Sequence, residues 1–360
     1  MTNLSYTIFD GQQWNSRRGL ARFARQLRRH LAAAGWQDRP AIYPKWSSSM
    51  GRILISEVVE PYRHSRLRPE AAFYPYNVLP SWLSTEPGLR VLVLHDLLFL
   101  APENKGLGNY YRRLKLNHSL AKADLILTVS EASCAAIQSL LTRDLAVLVI
   151  PNCLSEPFAD LAFAPKPPAD VPIRILHFGG HVSSKNTFAL MRAVAQLVEA
   201  GIDARLEVAA MANHAQLIEH WRSIAGLPHR SLQLLPVLND EELIEAYRRA
   251  TLHAMPSTGE GFGIPVIEAA RAGALNVLTP LDVFREVMGS GAIYAAGFDS
   301  SAIASALRAA LASNRPSLIA HAFQQTCRYT IESVHEKYAL PALKHISILA
   351  SSGRNTKKER

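Results

Sequence analysis

Leu125-Ile-Leu-Thr-Val-Ser130, the segment from Glu131 to about Leu141, and Leu145-Ala-Val-Leu-Val-Ile-Pro-Asn152 form the stretch whose reading decides the fold. The two outer runs are short and continuously apolar, as strands buried on both faces of a parallel sheet must be. The middle segment reads as a helix. Strand, helix and strand in this order make a βαβ unit, and such a unit implies a parallel sheet with helical crossovers.

The same rhythm extends in both directions. TIFD (7–10) and VLVLHD (91–96) read as further strands. Between them lies a helix opening at Gly19, with Leu20, Phe23, Ala24, Leu27 and Leu31 at helical spacing and Arg22, Arg25, Arg28 and Arg29 on the other faces. The pattern stops between 154 and 172, where Pro157, Pro165, Pro167, Pro168 and Pro172 crowd together. It restarts with RILHFGG (174–180) and the helix 187–201. The strand ARLEVAA (204–210), the helix 241–250, the strands LHAMPS (252–257) and LNVLTP (275–280), and a helix opening at Gly263-Ile264-Pro265 follow. The expected organisation is an N-terminal α/β domain over 1–160, a proline-rich linker over 161–172 and a C-terminal α/β domain over 173–328. A helical segment over 329–350, broken near Pro341, and a basic tail over 351–360 complete it.

Composition agrees. The 360 residues are 48% hydrophobic and 19% charged, enough for about two packed domains and too apolar for a disordered chain. The longest apolar stretch, 91–101, is interrupted by His95-Asp96, so no membrane-spanning helix is expected. The N-terminus lacks the pattern of a signal peptide. Cys134, Cys153 and Cys327 fit neither a disulfide framework nor a metal knuckle, and a cytoplasmic setting is expected.

The net charge of +9 is uneven: residues 1–150 hold 19 Lys/Arg against 11 Asp/Glu. A phosphorylated small molecule, an anionic membrane surface, nucleic acid or a merely solvated face could each account for it. Nucleic acid is disfavoured because no RNP, zinc-finger or helix-turn-helix pattern is present.

The sharpest motif is Glu260-Gly-Phe-Gly-Ile-Pro-Val-Ile-Glu268. The glycines allow backbone N–H groups close to a ligand, and Pro265 suits a first helical turn. A helix N-terminus there would favour an anion, and Glu268 on the helix could hold a diol. The same spacing also fits a glycine-rich turn with two exposed glutamates.

With its surroundings, this motif resembles the E-x7-E segment of family 4 retaining glycosyltransferases. Arg18-Gly19-Leu-Ala-Arg22-Phe23 resembles that family's glycine turn, Leu94-His95-Asp96 its strand-end histidine, and Ala123 to Glu131 its "AD-ilt-vS" segment. Val149-Ile-Pro-Asn152 and Phe178-Gly179-Gly180 through Lys185-Asn186 also agree, the latter with its donor-phosphate segment. The similarity spans about 18–285. It implies the GT-B fold, two Rossmann-like domains with parallel sheets facing a central cleft.

The resemblance also implies roles. Gly19 would approach the donor diphosphate, His95 would touch the transferred sugar, and Lys185 would neutralise the leaving group. Glu260 would bind the donor sugar with backbone from Gly261, Phe262, Gly263 and Ile264, and Glu268 would hold the ribose. Each has a plainer reading: His95 as a satisfied strand-end histidine, Lys185 as a helix-start lysine, Gly19 as a helix-entry turn. Many members carry an arginine upstream of the lysine, whereas this chain reads Gly179-Gly-His181-Val-Ser-Ser-Lys185. No Asp-x-Asp motif occurs, and no metal or other cofactor is expected.

The activity implied is a retaining α-hexosyl transfer, GDP-mannose being the favoured donor and GDP-rhamnose or UDP-hexoses remaining open. The acceptor would be a glycan or lipid-linked molecule in surface polysaccharide synthesis. The alternatives are another GT-B enzyme such as a UDP-sugar epimerase and, distantly, a basic nucleic-acid-binding protein. If the acceptor is lipid-linked, Arg17, Arg18, Arg22, Arg25, Arg28, Arg29, Arg112, Arg113 and Lys115, with Tyr110 and Tyr111, would dock on the inner face of the cell membrane.

Overall fold

The computed structural model describes residues 4–10, 19–42, 49–81, 88–101, 107–164, 172–179, 182–209 and 214–358. The chain forms two compact units, Met1–Cys153 with Ile331–Arg360, and Leu154–Thr330. The first unit therefore takes its chain up to Cys153 rather than 160 and is completed by residues from the far C-terminus. Of the expected linker, 165–171 lie outside the described residues.

The first unit holds six parallel strands: β1 (Ser5–Ile8), β2 (Gln37–Asp38), β3 (Ala71–Tyr74), β4 (Leu89–Val93), β5 (Leu125–Thr128) and β6 (Val147–Val149). Their order is β2-β1-β3-β4-β5-β6. The βαβ stretch folds as read, with helix Glu131–Gln138 between β5 and β6. Ser130 caps that helix by accepting from the Ser133 N–H at 3.0 Å, a contact worth about 1 kcal/mol. The helix Gly19–Ala33 buries Phe23, Leu27 and Leu31 completely, each worth roughly 1.5–3 kcal/mol of transfer energy. Strand β3 carries few strand signals, since Ala-Ala-Phe-Tyr neither alternates nor is β-branched.

Residues beyond Thr330 return to this unit. A short helix Ile331–Val334 leads into a π turn over His335–Ala339 and then the helix Leu340–Lys358. The expected break at Pro341 takes this form: proline offers no N–H and crowds the carbonyl four residues earlier, and the wide turn absorbs both. The His335 ring stacks on buried His30 of the helix Gly19–Ala33, centroids 5.4 Å apart.

The second unit holds β7 (Ile173–Phe178), β8 (Ala204–Ala209), β9 (Leu232–Leu234), β10 (Leu252–Met255), β11 (Leu275–Leu278) and β12 (Ala292–Tyr294). All are parallel, in the order β12-β11-β10-β7-β8-β9. This is the Rossmann order, and its reversal point lies between β7 and β10. Leu190, Val194, Leu206, Val208, Leu252, Leu275 and Leu307 lie in its fully buried core.

Burial of histidine gives the fold an acid limit. His30, His95 and His253 are pushed down to about 4, and His177 to about 3, in each case first by burial. An unfolded imidazole titrates near 6.5, so as the pH falls the unfolded chain takes up protons first. The stability these groups contribute is complete above 6.5 and is lost on the way down to about 4. Each adds about 1.4 kcal/mol per pH unit in that window. Urea-unfolding free energies measured from about pH 7 to about pH 5 should therefore fall steadily. A His177→Gln variant should show a shallower slope, and a flat wild-type profile would contradict the assignment.

Candidate active site

The reversal point between β7 and β10 is where an open α/β sheet binds ligands, because the following loops part there. After β7 the chain passes Gly179 and a 3-10 turn, Ser183–Lys185, into the helix Thr187–Glu199. After β10 it passes Ser257 and the Glu260–Gly263 turn into the helix Ile264–Arg271. The Thr258 N–H donates to the Ser184 carbonyl at 2.9 Å and ties the two loops together.

Lys185 and Glu260 meet across this tie. The lysine Nζ lies 2.5 Å from Glu260 Oε1, and the Ser257 hydroxyl donates to the same oxygen at 2.8 Å. Ser257 is fully buried, and its carbonyl accepts from the Thr279 hydroxyl at 2.5 Å. The carboxylate thus has one oxygen bound by a cation and a hydroxyl, which fixes the group's orientation. The plainer reading of Lys185 as an ordinary helix-start lysine does not describe this ion pair.

The turn that follows is built for close approach. Gly263 sits at φ 93° and ψ 52°, left-handed backbone that suits glycine, and Pro265 occupies the first turn of the helix behind it. Phe262 is buried with its ring edge on Tyr329, 5.3 Å between centroids, so this residue offers a ligand its backbone only. Glu268 is 5% exposed on the helix Ile264–Arg271. With the Glu260 side chain 12% exposed, the reading of two exposed glutamates on a loop is set aside.

Buried polar groups fix the loops from beneath. His177 lies within 2.9 Å of the Ala254 carbonyl through Nδ1 and 3.0 Å of the Thr187 hydroxyl through Nε2. Its Nδ1–H donates to the carbonyl, and Nε2 accepts from Thr187 at the start of the helix Thr187–Glu199. A Cβ at Gly179 would stand 2.4 Å from His177 Nε2 and 2.6 Å from the Thr187 hydroxyl, which explains the glycine there. Asn186 takes left-handed backbone at φ 52° and donates from Nδ2 to the Phe298 carbonyl at 2.8 Å. Residues Gly180 and His181 lie outside the described residues. Sequence reading passed over Ser257, His177 and Thr187, and only the position of Ser257 three residues before Glu260 hinted at one of them.

The remaining two predicted residues belong to the first unit. Gly19 is the first residue of its helix, and residues 11–18 before it lie outside the described residues. His95 follows β4 and is 6% exposed. Its backbone N–H donates to Asn77 Oδ1 at 3.0 Å, and its carbonyl accepts from the Ser133 hydroxyl at 3.0 Å. Its ring meets the Phe23 ring edge-on at 5.0 Å. Among the described residues Nε2 has no partner although it is buried, so His95 is not the satisfied strand-end histidine of the plainer reading. Burial keeps the ring neutral above about 4, a hydrogen bond to the Pro75 backbone opposing only in part. A neutral ring with a free buried nitrogen suits a hydroxyl ligand.

The basic residues named from the sequence are largely engaged within the unit. Arg28 pairs with Asp10 and Asp38, Arg22 donates to the Cys153 carbonyl, and Arg113 to the Phe99 and Ala101 carbonyls. Lys115 pairs with Glu57 at 3.1 Å, and Arg17 and Arg18 lie outside the described residues. Among the described residues, no three His, Cys, Asp or Glu side chains converge to hold a metal ion, and no helix is long and apolar enough to cross a membrane.

Residues 172–313 match the family model for glycosyl transferases, group 1. The matched stretch is 142 of the 360 residues. It contains β7 to β12 and every residue of the Lys185–Glu260 site.

The serotype-specific mannosyltransferase WbdA of Escherichia coli is 30% identical over 220 residues, which cover 56% of this chain and 27% of that protein. The chain thus spans about a quarter of the length of the curated relative it matches. Among solved structures, sucrose-phosphate synthase from Thermosynechococcus elongatus superposes with a TM-score of 0.77 at 16% identity, covering 97% of this chain and 100% of the other. The Anabaena protein HepE, solved in complex with UDP-glucose, superposes with a TM-score of 0.69 at 14% identity, covering 95% and 100%. The fold is GT-B, as the sequence resemblance implied.

Proposed function

We propose that this protein is a retaining α-glycosyltransferase that moves a hexose from a nucleotide sugar to a hydroxyl of a glycan or lipid-linked acceptor in surface polysaccharide synthesis. The observation that carries this reading is the Lys185–Glu260 pair, 2.5 Å apart at the reversal point of the sheet and beside the Gly263 turn. Lys185 is the one permanent cation of the segment 179–185. Placed against a diphosphate, it would meet the negative charge that grows as the leaving group departs, and so stabilise the transition state more than the ground state. Two helices, Thr187–Glu199 and Ile264–Arg271, start from these loops, and a helix N-terminus favours an anion. In this reading the lysine and the N–H groups of these helix starts serve in place of a metal ion.

The remaining residues divide the donor between them. Glu260 receives sugar hydroxyls, with backbone N–H groups from Gly261 to Ile264 beside it. Glu268, buried on the helix behind the turn, accepts from the ribose hydroxyls. In the first unit, His95 Nε2 could take a hydroxyl, and Gly19 opens its helix without a side chain. The acceptor oxygen forms a bond to the anomeric carbon as the bond from that carbon to the phosphate oxygen breaks. The acceptor proton passes to the departing phosphate, and attack on the face the phosphate leaves retains the configuration. Similarity to a mannosyltransferase favours mannose from GDP-mannose, and the UDP-glucose complex of HepE keeps uridine donors in view.

A thermal-shift series with GDP-mannose, GDP, UDP-glucose, UDP-N-acetylglucosamine and UDP tests the reading. A donor at about 100 times its dissociation constant should stabilise the protein by about 2.7 kcal/mol. The shift should come from one base and be lost in Glu268→Ala. Equal shifts in wild type and Glu268→Ala would remove the ribose role, and no shift with any nucleotide would remove the proposed activity.

A further inference from the structure

Two buried side chains, Asn276 of β11 and Thr279 just beyond it, hold the Glu260–Gly263 turn from both ends. Ahead of the turn, the Thr279 hydroxyl donates to the Ser257 carbonyl at 2.5 Å. Behind it, Asn276 Nδ2 donates at 3.0 Å to the carbonyl of Val266, the third residue of the helix Ile264–Arg271. Glu260 lies between the two contacts, and Glu268 two residues beyond the second. The segment that carries both glutamates is thus fastened to a single strand.

A third residue orients the second contact. His253 of β10 stands opposite Asn276 in the register of the two strands, with Nδ1 2.7 Å from Asn276 Oδ1. The direction of this chain of bonds follows from its last member. The Val266 carbonyl can only accept, so the amide nitrogen of Asn276 faces it and the amide oxygen faces the histidine. That oxygen also only accepts, so His253 carries its hydrogen on Nδ1 and leaves Nε2 bare. Among the described residues Nε2 is buried with no partner.

Packing does not call for an imidazole at this place. The ring lies against the rings of Tyr247 and Phe178, with centroids 5.5 Å and 6.1 Å away. A buried nitrogen without a partner costs stability, and a buried polar pair is often no more stable than an apolar pair of the same shape. What the pair adds is direction. It fixes the amide plane of Asn276, and through the Val266 carbonyl it fixes where the first turn of the helix stands on the sheet. We infer that His253 and Asn276, with Thr279, are positioning residues that set the Glu260–Glu268 segment for its ligand. They act through the backbone at Ser257 and Val266, and all of them belong to the second unit. The inference takes the identity of that ligand from the nucleotide-sugar reading above.

Hydrogen exchange read by mass spectrometry on the full chain tests it. His253→Phe/Asn276→Val replaces the pair by apolar side chains, and its melting temperature should stay close to that of the wild type. The amides of 264–271 should nonetheless exchange about fivefold faster, the factor that one net hydrogen bond supplies. Those of the helix Thr187–Glu199, whose start His177 holds, should keep their rate. His253→Asn still offers an N–H to Asn276. Its smaller side chain should lower the melting temperature, yet 264–271 should exchange as in the wild type. Calorimetric titration with UDP and with GDP supplies the second readout: the nucleotide that the wild type binds should bind the double variant about fivefold or more weakly. Wild-type exchange at 264–271 in the double variant, or faster exchange there with unchanged nucleotide binding, would overturn the inference. So would a double variant that melts far below the wild type or exchanges faster in both helices, because the pair would then hold the whole unit rather than the turn. A wild type that binds neither nucleotide would remove the donor reading instead, and the exchange rates would then decide the inference by themselves.

Discussion

Lys185→Ala should lower kcat for sugar transfer by about 10²–10³-fold with the fold intact, the loss typical when one preorganised donor to a developing negative charge is removed. The lysine side chain is 27% exposed in a short 3-10 turn, and its removal leaves Glu260 with the Ser257 hydroxyl and solvent. Little stability is therefore at stake. The segment 179–185 has no arginine to take over, so the loss should fall on kcat more than on the donor KM. Lys185→Arg should recover part of the rate, because the charge returns in a planar group of different reach. Glu260→Gln separates the two partners: it keeps the Ser257 contact but releases the lysine, and it should raise the donor KM through the lost sugar contact. Steady-state kcat and KM for the three variants decide the matter, and a Lys185→Ala enzyme with wild-type kcat would show that the leaving-group charge is met elsewhere.

Gly263→Val should be the most destabilising single change at the site. The residue sits at φ 93°, where a side chain costs about 1–2 kcal/mol. Its Cβ would also stand 2.9 Å from Phe284 Cε1 and 3.4 Å from Val266 Cγ2. Phe284 and Val266 are fully buried and have no room to yield, which adds about 1–3 kcal/mol of overpacking. For a unit of this size the two terms together correspond to a fall in Tm on the order of 10 °C. The helix start beside Glu260 would shift with them, so donor affinity should fall too. Gly201→Val supplies the control: its φ is 84°, but nothing lies within 4 Å of its Cβ. Calorimetry should show the larger drop for Gly263→Val, and equal drops would remove the packing term.

Much of this was legible in the sequence because it rests on local pattern. Apolar runs bounded by turn residues marked β4, β5, β7, β8, β10 and β11 within a few residues, since strands buried on both faces admit little else. Short strands without that pattern escaped, as β3 did with Ala-Ala-Phe-Tyr. The Glu260–Glu268 spacing pointed to a candidate site because glycine, proline and acid stand together at a helix start there. What the pattern could not supply was partnership. Lys185 and Glu260 are 75 residues apart and meet only because β7 and β10 are neighbours in the sheet, an order set by how the crossover helices pack. Several basic residues named from the sequence hold carbonyls and carboxylates of their own unit, partners that no local pattern marks. The C-terminal helix returned to the first unit by a contact between His30 and His335 that no local signal marks. Periodicity and turn chemistry act between near neighbours in the chain, and so the sequence alone determined the elements and the motif. Strand order, ion pairing and exposure depend on groups far apart in the chain, and these only the tertiary structure decided.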